Sequence, residues 1–235
     1  MPPKCLYEKG TPLLISVPCC EPCNNKFSKD DDFFKTIMVF VAGDANPVSK
    51  LHLDGSVKRA MKRLVIGLSG KVAAQLEKFQ VTTKSGLYTG QEVAALGITG
   101  EDWLRISKTL IRIVRGLRYD STKGAKRYDN HAYSLLPLEN EDRERVLKSK
   151  GLIEAIKKNK TIGIVDDRVC KIKIIPVEGS EEEHIWILEF YERMQFLVVV
   201  RTMERAKRVM EKKNEPFLLF GADGRPIRTT TLSGD

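Results

Sequence analysis

The clearest periodic pattern in the chain is a set of apolar residues at helical spacing, which predicts an amphipathic helix over residues 103–117. Thr99 and Asp102 stand just before this pattern at capping-box positions, so we expect the helix to begin there. The apolar face consists of Trp103, Ile106, Leu110, Ile113, Val114 and Leu117.

Four cations occupy the opposite face of this predicted helix, namely Arg105, Lys108, Arg112 and Arg115. Their spacing allows each of them to meet a phosphate of a nucleic-acid backbone, which makes them candidate nucleic-acid-binding residues. Such a row is more often the solvated side of an amphipathic helix. The pattern alone leaves both interpretations open.

An earlier helix is predicted to begin near Ser28 and Asp31, which resemble a capping box, and to end at Gly43. Its apolar positions are Phe33, Ile37 and Phe40. The acidic run Asp30–Asp32 could bind a divalent cation, but attraction to the positive end of the predicted helix explains it adequately.

The middle of the chain is predicted to be mainly helical. Gly55–Phe79 has a helical pattern interrupted by glycines, and Glu139–Lys158 is a highly charged helical segment. Val81–Thr89 predicts a small hairpin, and Arg118–Leu138 predicts an irregular connection.

After residue 160 the pattern changes to β-branched and aromatic residues with strand-like alternation, which predicts an antiparallel sheet. The predicted elements are strands within Thr161–Pro176, His184–Tyr191 and Gln195–Arg201, a helix over Met203–Lys213, and a hairpin from Phe217–Phe220 to Pro226–Thr231. We therefore predict an α+β fold with three regions: an N-terminal module (1–43), a mainly helical region (44–160) and a β-rich region (161–235).

Composition and charge indicate an anionic partner. The 235 residues carry a net charge of +9, with a pI near 9.3. A balance of this kind favours nucleic acid, although many basic proteins bind nothing acidic. The first residues lack the apolar stretch of a signal peptide, and no apolar run is long enough to span a membrane. We expect a cytoplasmic protein with no membrane partner.

The cysteines are the candidate metal ligands. Cys20 and Cys23 form a Cys-x-x-Cys pair, which is half of a tetrahedral zinc site. Cys5 and Cys19 are the remaining candidates, although adjacent cysteines seldom both bind one ion well. Some of these residues are equally explained as ordinary buried thiols. His52, His131 and His184 stand in no metal or nucleophile motif, so we expect surface or capping roles for them.

Two stretches carry a resemblance to a known family. Residues 2–7, Pro-Pro-Lys-Cys-Leu-Tyr, and residues 14–32, which contain Cys-Cys-Glu-Pro-Cys-Asn-Asn, resemble the HNH endonuclease superfamily. The similarity is closest to bacterial HNH-like proteins of poorly known function. Residues 113–119, Ile-Val-Arg-Gly-Leu-Arg-Tyr, resemble a segment found downstream in these proteins.

The resemblance implies a ββα-metal module within residues 1–43, in which Mg²⁺ or Mn²⁺ acts on a phosphate while a histidine activates water. Cys20 and Cys23 match the second of two Cys-x-x-Cys pairs that hold a structural zinc. Asn24 or Asn25 matches the helix position that helps to hold the catalytic metal.

The departures from the family concern the catalytic residues. The first Cys-x-x-Cys has no counterpart, and the family's histidine would fall before Met1. Either Met1 is a misassigned start, at a position where relatives have valine, or the truncation is genuine. An in-frame Cys-x-x-Cys and Glu-His encoded upstream would support the first explanation, and an immediate stop codon would exclude it.

The sequence therefore predicts an HNH-endonuclease-like, nucleic-acid-directed protein that is catalytically incomplete as written. The alternative is a non-enzymatic DNA-binding or protein-interaction accessory protein. Loss of a positioned base costs roughly a hundred- to ten-thousand-fold in rate.

Overall fold

The computed structural model describes residues 2–8, 10–11, 15–19, 21–44, 46–57, 76–82, 88–96, 98–124, 130–138, 161–163, 166–213 and 219–227. After a short 3-10 turn at Lys4–Leu6, the helices are α1 (Glu21–Ala42), α2 (Pro47–His52), α3 (Gly100–Ser121) and α4 (Met203–Lys213). One π-helical turn, Leu53–Val57, follows α2.

The eight strands among the described residues form two antiparallel sheets. They are β1 (Leu76–Thr82), β2 (Tyr88–Leu96), β3 (His131–Pro137), β4 (Thr161–Gly163), β5 (Cys170–Pro176), β6 (His184–Phe190), β7 (Met194–Thr202) and β8 (Leu219–Phe220). β1 and β2 pair as a hairpin, and the other six strands are ordered β4-β5-β6-β7-β3-β8. The predicted α+β class and antiparallel sheet are confirmed.

Helix α3 forms as its pattern predicts. Asp102 N donates to Thr99 Oγ1 (3.2 Å) and Thr99 N donates to Asp102 Oδ2 (3.1 Å), which is the reciprocal capping box. Ile106, Leu110 and Val114 on the apolar face are completely buried.

Helix α1 begins earlier than the sequence predicts. It ends at Ala42, next to Gly43 with φ +58°, as expected, but it starts at Glu21 rather than near Ser28. Pro22 stands in the first turn, where the missing N–H costs nothing. Ser28 therefore lies inside the helix, and Asp30–Asp32 are mid-helix residues, so attraction to the helix N-terminus is the wrong explanation for them.

The core lies between helices α1 and α3 and one face of the larger sheet. Phe34 of α1 meets Phe190 of β6 edge to face, with ring centroids 5.0 Å apart. Phe190 also lies 6.1 Å from Phe196 of β7, whose other neighbour is Trp103 of α3 at 6.3 Å. Aromatic pairs at these distances stabilise a core beyond their buried area.

Helix α4 covers part of the opposite face of the sheet. Ala206 packs there with Ala132 of β3 and Leu219 of β8. Its predicted bounds, Met203–Lys213, are confirmed.

Strand β3 was wrongly predicted as part of an irregular connection. It lies between β7 and β8, with Tyr133 opposite Val200 and also opposite Phe220. Because Ala132 and Tyr133 are buried on opposite faces, the strand lacks the usual alternation. β3 also joins the predicted middle region to the C-terminal sheet, within a core that includes Leu6 and Phe220.

The structure confirms some of the other predicted elements, contradicts part of one, and does not describe the rest. The hairpin predicted at Val81–Thr89 is present and longer, so residues 76–79 are strand rather than helix. Strands β5, β6 and β7 match their predicted segments, and Phe220 bridges Pro226 as the start of the last predicted hairpin. Residues 58–75 and 139–160 lie outside the described residues. No described helix is long and apolar enough to cross a membrane.

Candidate functional site

A cavity of about 690 Å³ lies between the N-terminal segment and helices α1 and α3. We call it the N-terminal cavity. It is lined by Pro2, Pro3, Lys4, Ile15, Ser16, Val17, Pro18, Cys19, Asn24, Phe27, Asp31, Arg112, Arg115, Gly116, Tyr119 and Gly124. The stretches for which the sequence predicts an HNH resemblance, 2–7, 14–32 and 113–119, each contribute described residues to this lining.

The N-terminal wall of the cavity is held at Leu6, which is completely buried. Leu6 N donates to Pro3 O (3.1 Å), which closes the 3-10 turn. Its carbonyl oxygen accepts a hydrogen bond from the Tyr191 hydroxyl (2.8 Å) and lies 3.0 Å from His52 Nε2. The segment before α1 is therefore fixed to both α2 and the β6–β7 turn.

The predicted cation row on α3 divides into two pairs with seven-residue spacing. Arg105 and Arg112 face α1, where Arg105 Nε donates to Asp30 Oδ1 at 2.9 Å and Arg112 pairs with Asp31. Both guanidinium groups also cover aromatic rings of α1: Arg105 lies 4.1 Å from the centroid of Phe33, and Arg112 lies 4.2 Å from that of Phe27.

The other pair faces the turn after β8. Arg115 donates to the carbonyl of Ala222. Gly224 sits so close to Lys108 that a Cβ there would lie 2.7 Å from Lys108 Cγ, and its φ of +74° also favours glycine. All four cations are half-buried, so the row is not a solvated face. Arg112 and Arg115 additionally line the N-terminal cavity.

Electrostatics in the cavity favour an anion. Three cations, Lys4, Arg112 and Arg115, line it together with one carboxylate, Asp31. Burial raises the pKa of Asp31, and the Arg112 guanidinium opposes that rise. Lys4 is exposed and Arg115 is half-buried, and both line the cavity.

The two candidate asparagines are separated by the structure. Both are exposed in the first two turns of α1, but only Asn24 lines the cavity. The Asn25 carbonyl accepts a hydrogen bond from Ser28 Oγ (3.1 Å). Asn24 is therefore the asparagine placed to contact a ligand in the cavity.

The described cysteines do not form a metal site. The Cys5 thiol donates to the Asp31 carbonyl (3.5 Å), and burial with the nearby Asp31 and Asp32 charges raises its pKa to about 12. Cys19 is exposed at the cavity, and Cys20 lies outside the described residues. Cys23 falls in the first turn of α1, where only the backbone is described. Among the described residues, no group of three His, Cys, Asp or Glu could hold a metal ion.

All three histidines lie away from the cavity. His52 is held against Leu6, and the imidazole of His131, buried at the start of β3, lies 3.7 Å from Glu182 Oε2. His184 begins β6, with its ring 6.5 Å from that of Trp186. His52 and His131 are thus buried, whereas the sequence predicts surface or capping positions for them.

Sequence reasoning missed several residues of the cavity. Lys4 and Tyr119, like Phe27 and Asp31, stand in the stretches for which the sequence predicts an HNH resemblance, and that prediction is the signal they carry. The contacts of Phe27 and Asp31 with Arg112 carry no sequence signal of their own, because they join residues 81 or more positions apart.

Comparison of the chain with protein-family models, with curated proteins and with solved structures gave no match.

Proposed function

We propose that this chain is an HNH-endonuclease-like, nucleic-acid-directed protein that binds a backbone phosphate in the N-terminal cavity. The observation that carries the proposal is that residues of the HNH-like stretches 2–7, 14–32 and 113–119, with Lys4 and Arg115 among them, line one cavity together with Arg112. Cations around a concave site concentrate polyanions and bind their phosphates.

The proposal replaces the linear cation track with a cavity. Arg105 and Arg112 are engaged with α1, so four independent phosphate contacts along α3 would require those ion pairs to break. Lys4 and Arg115 also line the cavity, and neither the Arg105–Asp30 pair nor the Arg112–Asp31 pair has to break for them to meet a phosphate there. Asn24, an amide in the first turn of α1, is placed to donate a hydrogen bond to the same phosphate.

In this chain we propose binding without cleavage. Hydrolysis in the HNH family needs a histidine beside the phosphate, and His52, His131 and His184 all lie elsewhere. The ββα-metal module belongs to the proposed relationship with the HNH family. It is not seen in the described fold, since residues 2–19, where described, contain only the 3-10 turn. Among the described side chains no group of three His, Cys, Asp or Glu could hold a metal ion, so no step is assigned to one.

Fluorescence anisotropy with labelled DNA over a salt series tests the proposed binding. We expect Lys4→Glu to weaken binding and to reduce the slope of log Kobs against log salt by about one. Lys50→Glu is the matched control, because Lys50 is exposed on α2 and does not line the cavity. Equal losses of DNA affinity in both variants would mean that net charge alone attracts DNA. This result would refute the cavity as the binding site.

A plasmid-nicking assay with Mg²⁺ or Mn²⁺ tests the absence of cleavage. We expect the 235-residue chain to leave supercoiled plasmid intact at concentrations that saturate binding. Metal-dependent nicking would refute catalytic incompleteness. Absence of any DNA binding would instead favour the protein-interaction alternative.

A further inference from the structure

Tyr119 is exposed at the wall of the N-terminal cavity, although it belongs to a helix that is otherwise well packed. Its side chain keeps 40% of its accessible surface. An aromatic ring beside clustered cations is the arrangement with which proteins stack a nucleobase while holding its phosphate. Tyr119 and Arg115 are four residues apart on α3, so their side chains are neighbours on one helix face.

The turn after α3 supports the ring of Tyr119. Gly124 N donates to the Tyr119 carbonyl (2.9 Å), and a Cβ at Gly124 would lie 2.8 Å from the Tyr119 hydroxyl oxygen and 2.9 Å from Cζ. Gly124 also has φ +76°, which favours glycine. Because Gly124 has no side chain, the Tyr119 ring lies directly against the turn. The turn therefore holds the ring in position.

The second aromatic ring that lines the cavity, that of Phe27, is already covered by a cation. The Phe27 ring carries the Arg112 guanidinium 4.2 Å from its centroid, and Arg112 is paired with Asp31. A base that stacked on Phe27 would have to displace this cation, whereas a base on Tyr119 would not. Tyr119 is thus the favoured stacking platform.

The size of the cavity selects the form of the ligand. Its volume of about 690 Å³ lies within the range of roughly 300–1,000 Å³ that is typical of small-molecule sites. One nucleotide fits such a space, but a base-paired duplex does not, because its bases are stacked inside the helix.

Resting on the proposed function, we propose that the N-terminal cavity takes one unpaired nucleotide, with its phosphate at Lys4 and Arg115 and its base stacked on Tyr119. The protein then prefers single-stranded nucleic acid, or an unpaired position, to a continuous duplex.

Anisotropy with one labelled oligonucleotide, measured single-stranded and as its duplex, tests this preference. We expect tighter binding of the single strand, and a loss of roughly 5- to 150-fold of that binding in Tyr119→Ala. Tyr119→Phe should restore it, because a phenyl ring stacks without the hydroxyl. Leu51→Ala, at an exposed position on α2 outside the cavity, is the control, and thermal unfolding checks that each variant is folded.

The outcomes separate this inference from the proposed function. If Lys4→Glu weakens binding but Tyr119→Ala does not, or if duplex binds as tightly as single strand, the nucleotide pocket is wrong and the phosphate site stands. If neither form binds, both proposals fail. If Tyr119→Phe loses as much binding as Tyr119→Ala, the hydroxyl rather than the ring makes the contact, and stacking is refuted.

Discussion

The helix–sheet core and the N-terminal cavity are built from different interactions, although α1 and α3 contribute to both. The core is made of completely buried aromatic and aliphatic side chains such as Phe34, Phe190 and Phe196. The cavity is lined by cations, a carboxylate, prolines and one exposed tyrosine. The elements that carry these residues are held in place by contacts outside the cavity. We infer that stability resides mainly in the core and that ligand binding resides in the cavity, so substitutions in the two regions should have separable effects.

The largest expected effect comes from the core. Phe190→Ala removes a ring that contacts both Phe34 and Phe196, so we expect a loss of about 3–5 kcal/mol in the free energy of unfolding. Urea denaturation of this variant beside Tyr119→Ala measures the contrast. A loss below about 1 kcal/mol for Phe190→Ala would contradict the assignment of stability to this layer.

The ion pair between Arg112 and Asp31 lies on the boundary between the two regions. Their side chains keep 14% and 25% of their accessible surface, so removal of either partner leaves a half-buried charge and should cost about 1–3 kcal/mol. A double-mutant cycle with Arg112→Ala and Asp31→Ala measures the coupling energy.

The pair Arg208–Glu204 on α4 is the matched control for that cycle. Its side chains are 69% and 76% exposed, and exposed pairs four residues apart on a helix contribute about 0.3–0.5 kcal/mol. Equal coupling energies in the two cycles would mean that burial of the Arg112–Asp31 pair contributes nothing.

The pH dependence of the Arg112→Ala variant gives a finer test. Because the pKa of Asp31 is raised in the folded protein, its contribution to stability falls as pH rises from the unfolded value of 3.8 through the folded value. Without Arg112 the carboxylate loses the charge that opposes this rise, so we expect the penalty of Arg112→Ala to be larger at pH 7 than at pH 3. A penalty that is independent of pH would contradict the assigned pairing.

A smaller consequence of the same burial concerns Cys5. With its pKa raised from 9.0 to about 12, the thiolate fraction near pH 8 falls about a thousand-fold relative to an ordinary cysteine. We therefore expect slow alkylation of Cys5 in the folded protein and fast alkylation in urea, followed by peptide mapping. Fast labelling of Cys5 under native conditions would show that the wall of the cavity opens.

The core was predictable from the sequence where one face of an element is buried. Strands β6 and β7 alternate buried and half-buried residues over most of their length, and β5 does so over its first four residues. Helix α3 has one apolar face, so the periods of these elements identify them. Strand β3 was missed because the sheet core and α4 bury it from both faces, which removes the alternation.

The cavity was only partly predictable, because it depends on contacts between distant segments. The start of α1 was misplaced because its first turns are polar, and the partners of Asp30 and Asp31 are arginines 75 and 81 residues away. The predicted HNH resemblance singled out Asn24, whereas Lys4 and Tyr119 stood in the compared stretches without an assigned role. Only the folded chain brings them to one space.

Photo-cross-linking tests most directly whether nucleic acid enters the N-terminal cavity. A single-stranded oligonucleotide with halogenated pyrimidines would be irradiated with the full chain, and the cross-linked peptides identified by mass spectrometry. We expect cross-links in the peptide that contains Tyr119, and their loss in Tyr119→Ala. Cross-links confined to α2, α4 or the sheet, with none at the residues that line the cavity, would contradict the proposed site.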